Sequence, residues 1–186
     1  MVQLVTNFPR QGIDFRHVLG ISQQPGGLDL CTSLLQAHFA SDWTKISAVV
    51  CCETGGFILA SALAARTGVP LALIREAGRL PPPTISIDKS APHVSSMALN
   101  APQVKSIEMS QYAVRRGASM VVVDDVLATG ETLCAVLQLL DKAGIDASDT
   151  IVMVVAEFPA HRGRDLLRRS GFGRTKIQSL LVFGGA

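Results

Sequence analysis

The chain has 186 residues, 48% of them apolar, with 17% charged and a net charge of +2. That length suits one domain with a packed core, and the near-neutral balance excludes a strongly basic nucleic-acid binder or an acidic-tail protein. No apolar run reaches the roughly 18 residues of a membrane span and the first residues open no signal peptide, so the expectation is a soluble, cytoplasmic protein with neither membrane nor nucleic acid as partner.

Residues 1–27 carry turn signals at Asn7-Phe8-Pro9, Gln11-Gly12 and Pro25-Gly26-Gly27. The apolar run 46–52 predicts a buried strand. Residues 56–66, rich in Ala and Leu, predict a helix that Thr67-Gly68-Val69-Pro70 stops, and 71–75 predicts the next strand. The stretch 76–103 holds five prolines and few periodic apolar positions, so it reads as a functional loop or a small subdomain. Strands are expected at 104–109 and, more strongly, at 119–123. A helix follows at 132–143 with Gly144 as its stop, then a strand at 149–156. The last part, 158–186, has a basic helix-like piece at 162–169, read as a solvated face rather than an anion site, and a final strand at 177–183. Strand–helix alternation with short connections implies parallel strands joined by right-handed crossovers. The fold class is therefore α/β, one domain with a parallel twisted sheet flanked by helices and its core in 28–157.

Cys31, Cys51, Cys52 and Cys134 lack metal-ligand spacing and read as small buried hydrophobes in a reducing compartment. Cys51 and Cys52 are no redox pair, since neighbours on a strand point to opposite faces.

Chemistry concentrates in Met120-Val121-Val122-Val123-Asp124-Asp125-Val126-Leu127-Ala128-Thr129-Gly130-Glu131-Thr132-Leu133. A hydrophobic strand delivers two adjacent carboxylates at its carboxyl end, where open α/β sheets bind ligands. A tight turn follows and a helix begins. The N–H groups of 128–132 can converge there on a phosphate, with Thr129 and Thr132 adding hydroxyls and Thr132 a candidate N-cap. Two acids beside a phosphate cradle repel it unless a group that donates to both lies between. A ribose 5-phosphate supplies that group through its 2′- and 3′-hydroxyls. The plain alternative is a capped turn with nothing bound. The turn has neither the G-x-x-x-x-G-K-[ST] nor the G-x-G-x-x-G pattern.

These 14 residues resemble the phosphoribosyl pyrophosphate motif of the type I phosphoribosyltransferases. Over most of the chain the resemblance is to the adenine phosphoribosyltransferases, at residues 7–16, at Leu73-Ile74-Arg75-Glu76-Ala77-Gly78-Arg79-Leu80-Pro81, at 157–167 and at Ser179-Leu180-Leu181. The resemblance implies a small hood from the N-terminal segment 1–27, a loop at 76–103 and a homodimer. The implied reaction transfers ribose 5-phosphate from phosphoribosyl pyrophosphate to a purine, giving AMP and pyrophosphate when the base is adenine. The implied cofactor is Mg²⁺ carried by the diphosphate, with no direct protein ligand assigned. By resemblance, Asp124 and Asp125 are the catalytic pair that takes the ribose hydroxyls. Ala128, Thr129, Gly130, Glu131 and Thr132 take the 5′-phosphate, and Glu53, Thr54, Gly55, Arg75 and Arg79 take the pyrophosphate. Ile13, Phe15, Arg16, Val126 and Leu127 hold the base. Ala128, where relatives acting on 6-oxopurines usually carry an acid, favours adenine.

Three positions depart from the family pattern. Gly55 stands where the pyrophosphate loop has arginine, and Glu76 where the next segment has lysine. The stretch 98–103 lacks the family's loop Glu-Tyr-Gly, and His93, a candidate alternative proton donor, reads more readily as plain surface. These departures bear on pyrophosphate handling more than on ribose phosphate binding. They leave open a second reading, a catalytically weak or inactive relative that binds AMP or phosphoribosyl pyrophosphate in a regulatory role.

Overall fold

A computed structural model describes residues 2–7, 11, 14–39, 42–89 and 105–184. In chain order its elements are β1 (Gln3–Thr6), β2 (Asp14–His17), α1 (Gly27–His38), β3 (Ala48–Cys52), α2 (Gly55–Thr67), β4 (Leu71–Glu76), β5 (Thr84–Lys89), β6 (Lys105–Ser110), β7 (Met120–Leu127), α3 (Glu131–Lys142), β8 (Thr150–Glu157), α4 (Gly163–Leu167) and β9 (Lys176–Val182). Strands β1 and β2 form an antiparallel pair, and the other described strands form one sheet in the order β5-β6-β4-β3-β7-β8-β9.

The five strands from β4 to β9 in that order are parallel, as expected. β7 lies between β3 and β8 and is covered on both faces, which is why its sequence is continuously apolar instead of alternating. Met120 and Val122 pack with Leu133, Val136 and Leu140 of α3. Val121 and Val123 pack on the opposite face with Leu35 of α1 and Leu59 and Leu63 of α2.

The sheet is mixed rather than wholly parallel. β6 pairs antiparallel with both β4 and β5, closing one edge with a hairpin. β5 falls inside the stretch read as irregular. Its Thr-Ile-Ser-Ile alternation is a strand signal that the neighbouring prolines mask, and Ile85 and Ile87 pack against the α3 side of the core. Helix α1 carried no expectation, although Cys31 and Leu35, four apart, are both buried. Helix α3 begins one residue early, and its N-cap is Gly130 at φ +83°, not Thr132. The basic piece forms only the short α4 followed by a widened turn at Arg168–Phe172, which Gly171 (φ +94°) ends.

The connections place the functional region. From β3 the chain passes through α2 to β4 on one side, while from β7 it passes through α3 to β8 on the other. α2 and α3 cover opposite faces. The loops leaving β3 and β7 therefore part at a switch point, opening a crevice at the carboxyl edge of the sheet.

Candidate active site

The two acids lie within β7, not beyond it. Asp124 pairs in register with Val154, and the strand runs on through Leu127. The turn starts at Ala128 and enters α3 through the left-handed Gly130. Gly163 presses on it from behind. A Cβ on Gly130 would lie 2.8 Å from the Gly163 carbonyl oxygen, and one on Gly163 would collide with the Ala128 carbonyl. The two glycines thus let the turn and the start of α4 meet backbone to backbone. The Phe158 N–H donates to the Leu127 carbonyl (2.9 Å), fixing the strand end that feeds the turn.

Both carboxylates face the loop that leaves β3. A Cβ on Gly55 would lie 2.6 Å from Asp125 Cγ, and one on Gly56 would lie 3.3 Å from Asp124 Oδ1. The Asp125 N–H donates to Asp124 Oδ1 at 3.0 Å. Asp124, Asp125, Ala128, Thr129, Gly130, Glu131 and Thr132 line one cavity of about 240 Å³ with Glu53, Thr54 and Gly55. The N-termini of α2 and α3 both open on it, so two positive helix ends face the carboxylates. Anions and polyols both find donors there.

A second cavity of about 460 Å³ shares Glu53 and Thr54 and adds Arg75, Glu76, Arg79, Ser106 and Ile107. The Glu53–Thr54 peptide is cis. Arg75 Nε donates to Glu53 Oε2 (3.1 Å), and the Glu76 N–H donates to Glu53 Oε1 (2.6 Å). Arg79 is exposed on the turn after β4, and Gly55 brings no cation to this end. Of the sequence-predicted pyrophosphate residues, Glu53, Thr54, Arg75 and Arg79 are thus together, with Arg75 held by Glu53, while Gly55 lines the first cavity.

At the third corner, Ile13 lies outside the described residues, as do 98–103 and His93, and Phe15 is described only through its backbone pairing with Val5. The Arg16 guanidinium stands 5.1 Å over the Phe183 ring, and Phe183 stacks on Phe158 at 5.3 Å. Val126 packs on this same side, with Phe158 and Phe183. Leu127 does not join it: it is 1% exposed and packs among the α3-side core residues. Val126 is half-buried, while Leu127, although packed on the α3 side, borders a separate cavity with Ala128 and Phe158.

Sequence reasoning missed several contributors. Glu157, buried at the end of β8, is held by Arg164 through two hydrogen bonds (2.6 and 2.7 Å) and by the Ser179 hydroxyl. Arg164 holds the Glu157 carboxyl below its ordinary pKa against the opposing effect of burial. Arg164 is thus a structural partner instead of a solvated face, while Arg162, Arg168 and Arg169 are exposed. Phe158, Phe183 and the buried Glu108 were likewise unassigned, and an acid inside an apolar strand (Ile107-Glu108-Met109) was the available signal. All four thiols are buried, and burial pushes Cys31 up to about 11 and Cys51 to about 12, which leaves them unreactive. Among the described residues no cluster of three His, Cys, Asp or Glu forms a metal cage, and no helix is long and apolar enough to cross a membrane.

The fold and most of the sequence are similar to those of known proteins. A profile of the phosphoribosyl transferase domain matches residues 17–168. The chain belongs to the phosphoribosyltransferase family. It is 34% identical to an adenine phosphoribosyltransferase of Novosphingobium aromaticivorans, over 100% of this chain and 95% of that one. A Marinomonas adenine phosphoribosyltransferase is 31% identical over 100% and 94% of the two chains. Among solved structures, the Giardia lamblia enzyme complexed with 9-deazaadenine superposes with a TM-score of 0.81 at 27% identity, covering 100% of this chain and 95% of that one.

Proposed function

We propose that this phosphoribosyltransferase acts on adenine, transferring ribose 5-phosphate from phosphoribosyl pyrophosphate to give AMP and pyrophosphate. The observation that carries the reading is the shared cleft. Asp124 and Asp125 face the Gly55–Gly56 corner, with the amino ends of α2 and α3 around them. Adenine phosphoribosyltransferases match the chain over its whole length.

In this reading the N–H groups of 128–132 and the hydroxyls of Thr129 and Thr132 hold the 5′-phosphate at the positive end of α3. Asp124 and Asp125 accept from the ribose hydroxyls. Their charge also favours a sugar carbon that becomes cationic as its bond to the diphosphate oxygen breaks and the bond to the purine nitrogen forms. Arg75, Arg79 and the 53–55 loop receive the departing pyrophosphate. The base lies toward Val126, with Ile13, Phe15 and Arg16 of the N-terminal segment closing over it as a hood. Mg²⁺ suits the donor set, because hard carboxylate oxygens border the diphosphate path and this ion binds mainly through phosphates and water. When bound there, it would supply neutralisation of charge on the leaving group. We place the protein in the cytoplasm as a homodimer.

The second reading, a nucleotide-binding relative without turnover, draws on Arg75 being tied to Glu53 and on Gly55 supplying no cation. A steady-state assay with adenine, phosphoribosyl pyrophosphate and Mg²⁺, with hypoxanthine, guanine and xanthine alongside, decides between them. Turnover above about 1 s⁻¹ with adenine is expected. Protein that binds AMP but turns over none of the bases would replace the transferase reading with the second.

A further inference from the structure

Glu108 has no part in the site as read from the sequence, and its environment is unusual. It sits on β6 opposite Arg75 and is 5% exposed, on the strand face opposite to the core residues Ile107 and Met109. Its carboxylate accepts from the backbone N–H groups of Arg79 and Leu80, both at 2.9 Å on Oε1, and from the Thr84 hydroxyl at 3.0 Å on Oε2. A carboxylate in such a place costs several kcal/mol of desolvation unless its oxygens are filled. Here they are filled almost entirely by one segment, the turn from β4 toward β5.

That turn carries Arg79 to the rim of the 460 Å³ cavity. It leaves β4 at Glu76, passes Gly78 at φ +83° and is exposed along 76–79. Little apolar packing fixes it. Its other described ties are Ala77 N–H to the Ser106 carbonyl (2.9 Å), Arg79 N–H to the Glu76 carbonyl (3.2 Å), and Arg75 Nη1 to the Arg79 carbonyl (3.4 Å). We infer that Glu108 is the positioning residue for the diphosphate subsite, a buried carboxylate that holds the 78–80 backbone so that Arg79 faces the cavity instead of sweeping through solvent. Burial pushes the Glu108 carboxyl up, but the donors of Leu80, Thr84, Arg79 and Gly78 outweigh it and hold the group below its ordinary range, so it is ionised at neutral pH. The inference rests on the assignment of Arg79 to the diphosphate end.

Positioning and plain electrostatics predict opposite signs. A negative charge beside an anion subsite repels the anion, so if Glu108 acted only as a charge, neutralising it would tighten pyrophosphate binding. As a positioning residue, its loss weakens binding. The test is calorimetric titration of Mg-pyrophosphate, and separately of AMP, into wild-type protein, Glu108→Ala, Glu108→Gln, Arg79→Ala and the Glu108→Ala/Arg79→Ala double variant. The expected result is at least tenfold weaker pyrophosphate binding in Glu108→Ala and a smaller loss in Glu108→Gln, whose amide oxygen can still accept from both N–H groups. AMP binding stays within twofold. In the double variant the Glu108 effect disappears, because the residues act as one unit. If Glu108→Ala does not fold, Glu108→Gln decides by its sign alone: weaker pyrophosphate binding supports the inference, and unchanged or tighter binding overturns it. Equal losses for AMP and pyrophosphate, or full additivity with Arg79→Ala, also overturn it. Wild-type protein that binds pyrophosphate but makes no AMP would sink the transferase reading and leave Glu108 to be judged by these titrations. Wild-type protein that binds no pyrophosphate would sink both.

Discussion

The end of the cleft proposed for the ribose phosphate and the end proposed for the diphosphate are made of different materials. At the first, the ligand-facing groups are chiefly backbone N–H groups of 128–132, held where Gly130 and Gly163 meet, with two strand-borne acids beside them. At the second, they are side chains at the end of β4 and on the exposed turn after it, with the Arg75 guanidinium engaged by Glu53 and the Arg79 backbone by Glu108. Backbone geometry is fixed by the fold and tolerates few substitutions. Side-chain geometry is fixed by local networks and can change one residue at a time.

The comparison breaks first at the acids. Replacing both with Asp124→Asn and Asp125→Asn is expected to lower kcat/KM by about 10²–10³-fold, the scale of losing charged or hydrogen-bonding groups that act in the transition state. Thermal stability should hold, because both side chains are only half-buried. A steady-state assay with a parallel melting curve checks this. A loss below tenfold would mean that the backbone turn alone carries the site.

Arg164→Ala tests the support beneath that turn. It leaves the buried Glu157 carboxylate without its bidentate partner, at an expected cost of about 3 kcal/mol. That corresponds to a fall in Tm of about 6–12 °C for a domain of this size. The pH dependence has a definite sign. Glu157 titrates below its ordinary value in the folded chain, so its contribution is complete above the unfolded value and is lost as pH falls through the folded one. Removing Arg164 raises the folded value toward or past the unfolded one, so the variant loses less on acidification: its stability deficit against wild type should be largest near neutral pH and narrow as pH falls, read by melting curves across pH 3–7.

How much of this was legible follows the same division. The strands of the parallel core and the acid pair stood out because burial on both faces writes a continuous apolar run, and the acids break it. The antiparallel edge did not, because β5 is half-buried and preceded by three prolines. Glu108, Glu157 and Arg164 were missed because their partners lie 7–29 residues away in the chain, and no local pattern marks such a contact.

Gly130→Ala gives a smaller effect, confined to the backbone-built end. A side chain at φ +83° costs about 1–3 kcal/mol, and its Cβ would meet the Gly163 carbonyl oxygen at 2.8 Å, so the turn must move. AMP binding should weaken by about tenfold, while pyrophosphate binding, measured in the same calorimeter, stays within twofold. Equal losses would show that the two ends move as one unit.

The smallest effect, and the sharpest for the comparison, is Gly55→Arg set beside Gly55→Ala. Both add a Cβ 2.6 Å from Asp125 Cγ, so both must swing that carboxylate, a short side chain at a half-buried position that can rotate at modest cost. Gly55→Ala carries only this steric change, and kcat should fall about threefold with pyrophosphate binding unaltered. Gly55→Arg adds a guanidinium on the loop whose Glu53 and Thr54 border both cavities, long enough to reach the diphosphate end, which should tighten pyrophosphate inhibition by about threefold to tenfold, the range of a partly exposed charge-assisted hydrogen bond. Arginine that tightens pyrophosphate with no more loss of kcat than alanine would mean that the diphosphate end accepts a new side chain without disturbing the backbone end. Arginine that leaves pyrophosphate binding unchanged would mean that Arg75 and Arg79 already saturate that end, and that Gly55 serves only to seat Asp125.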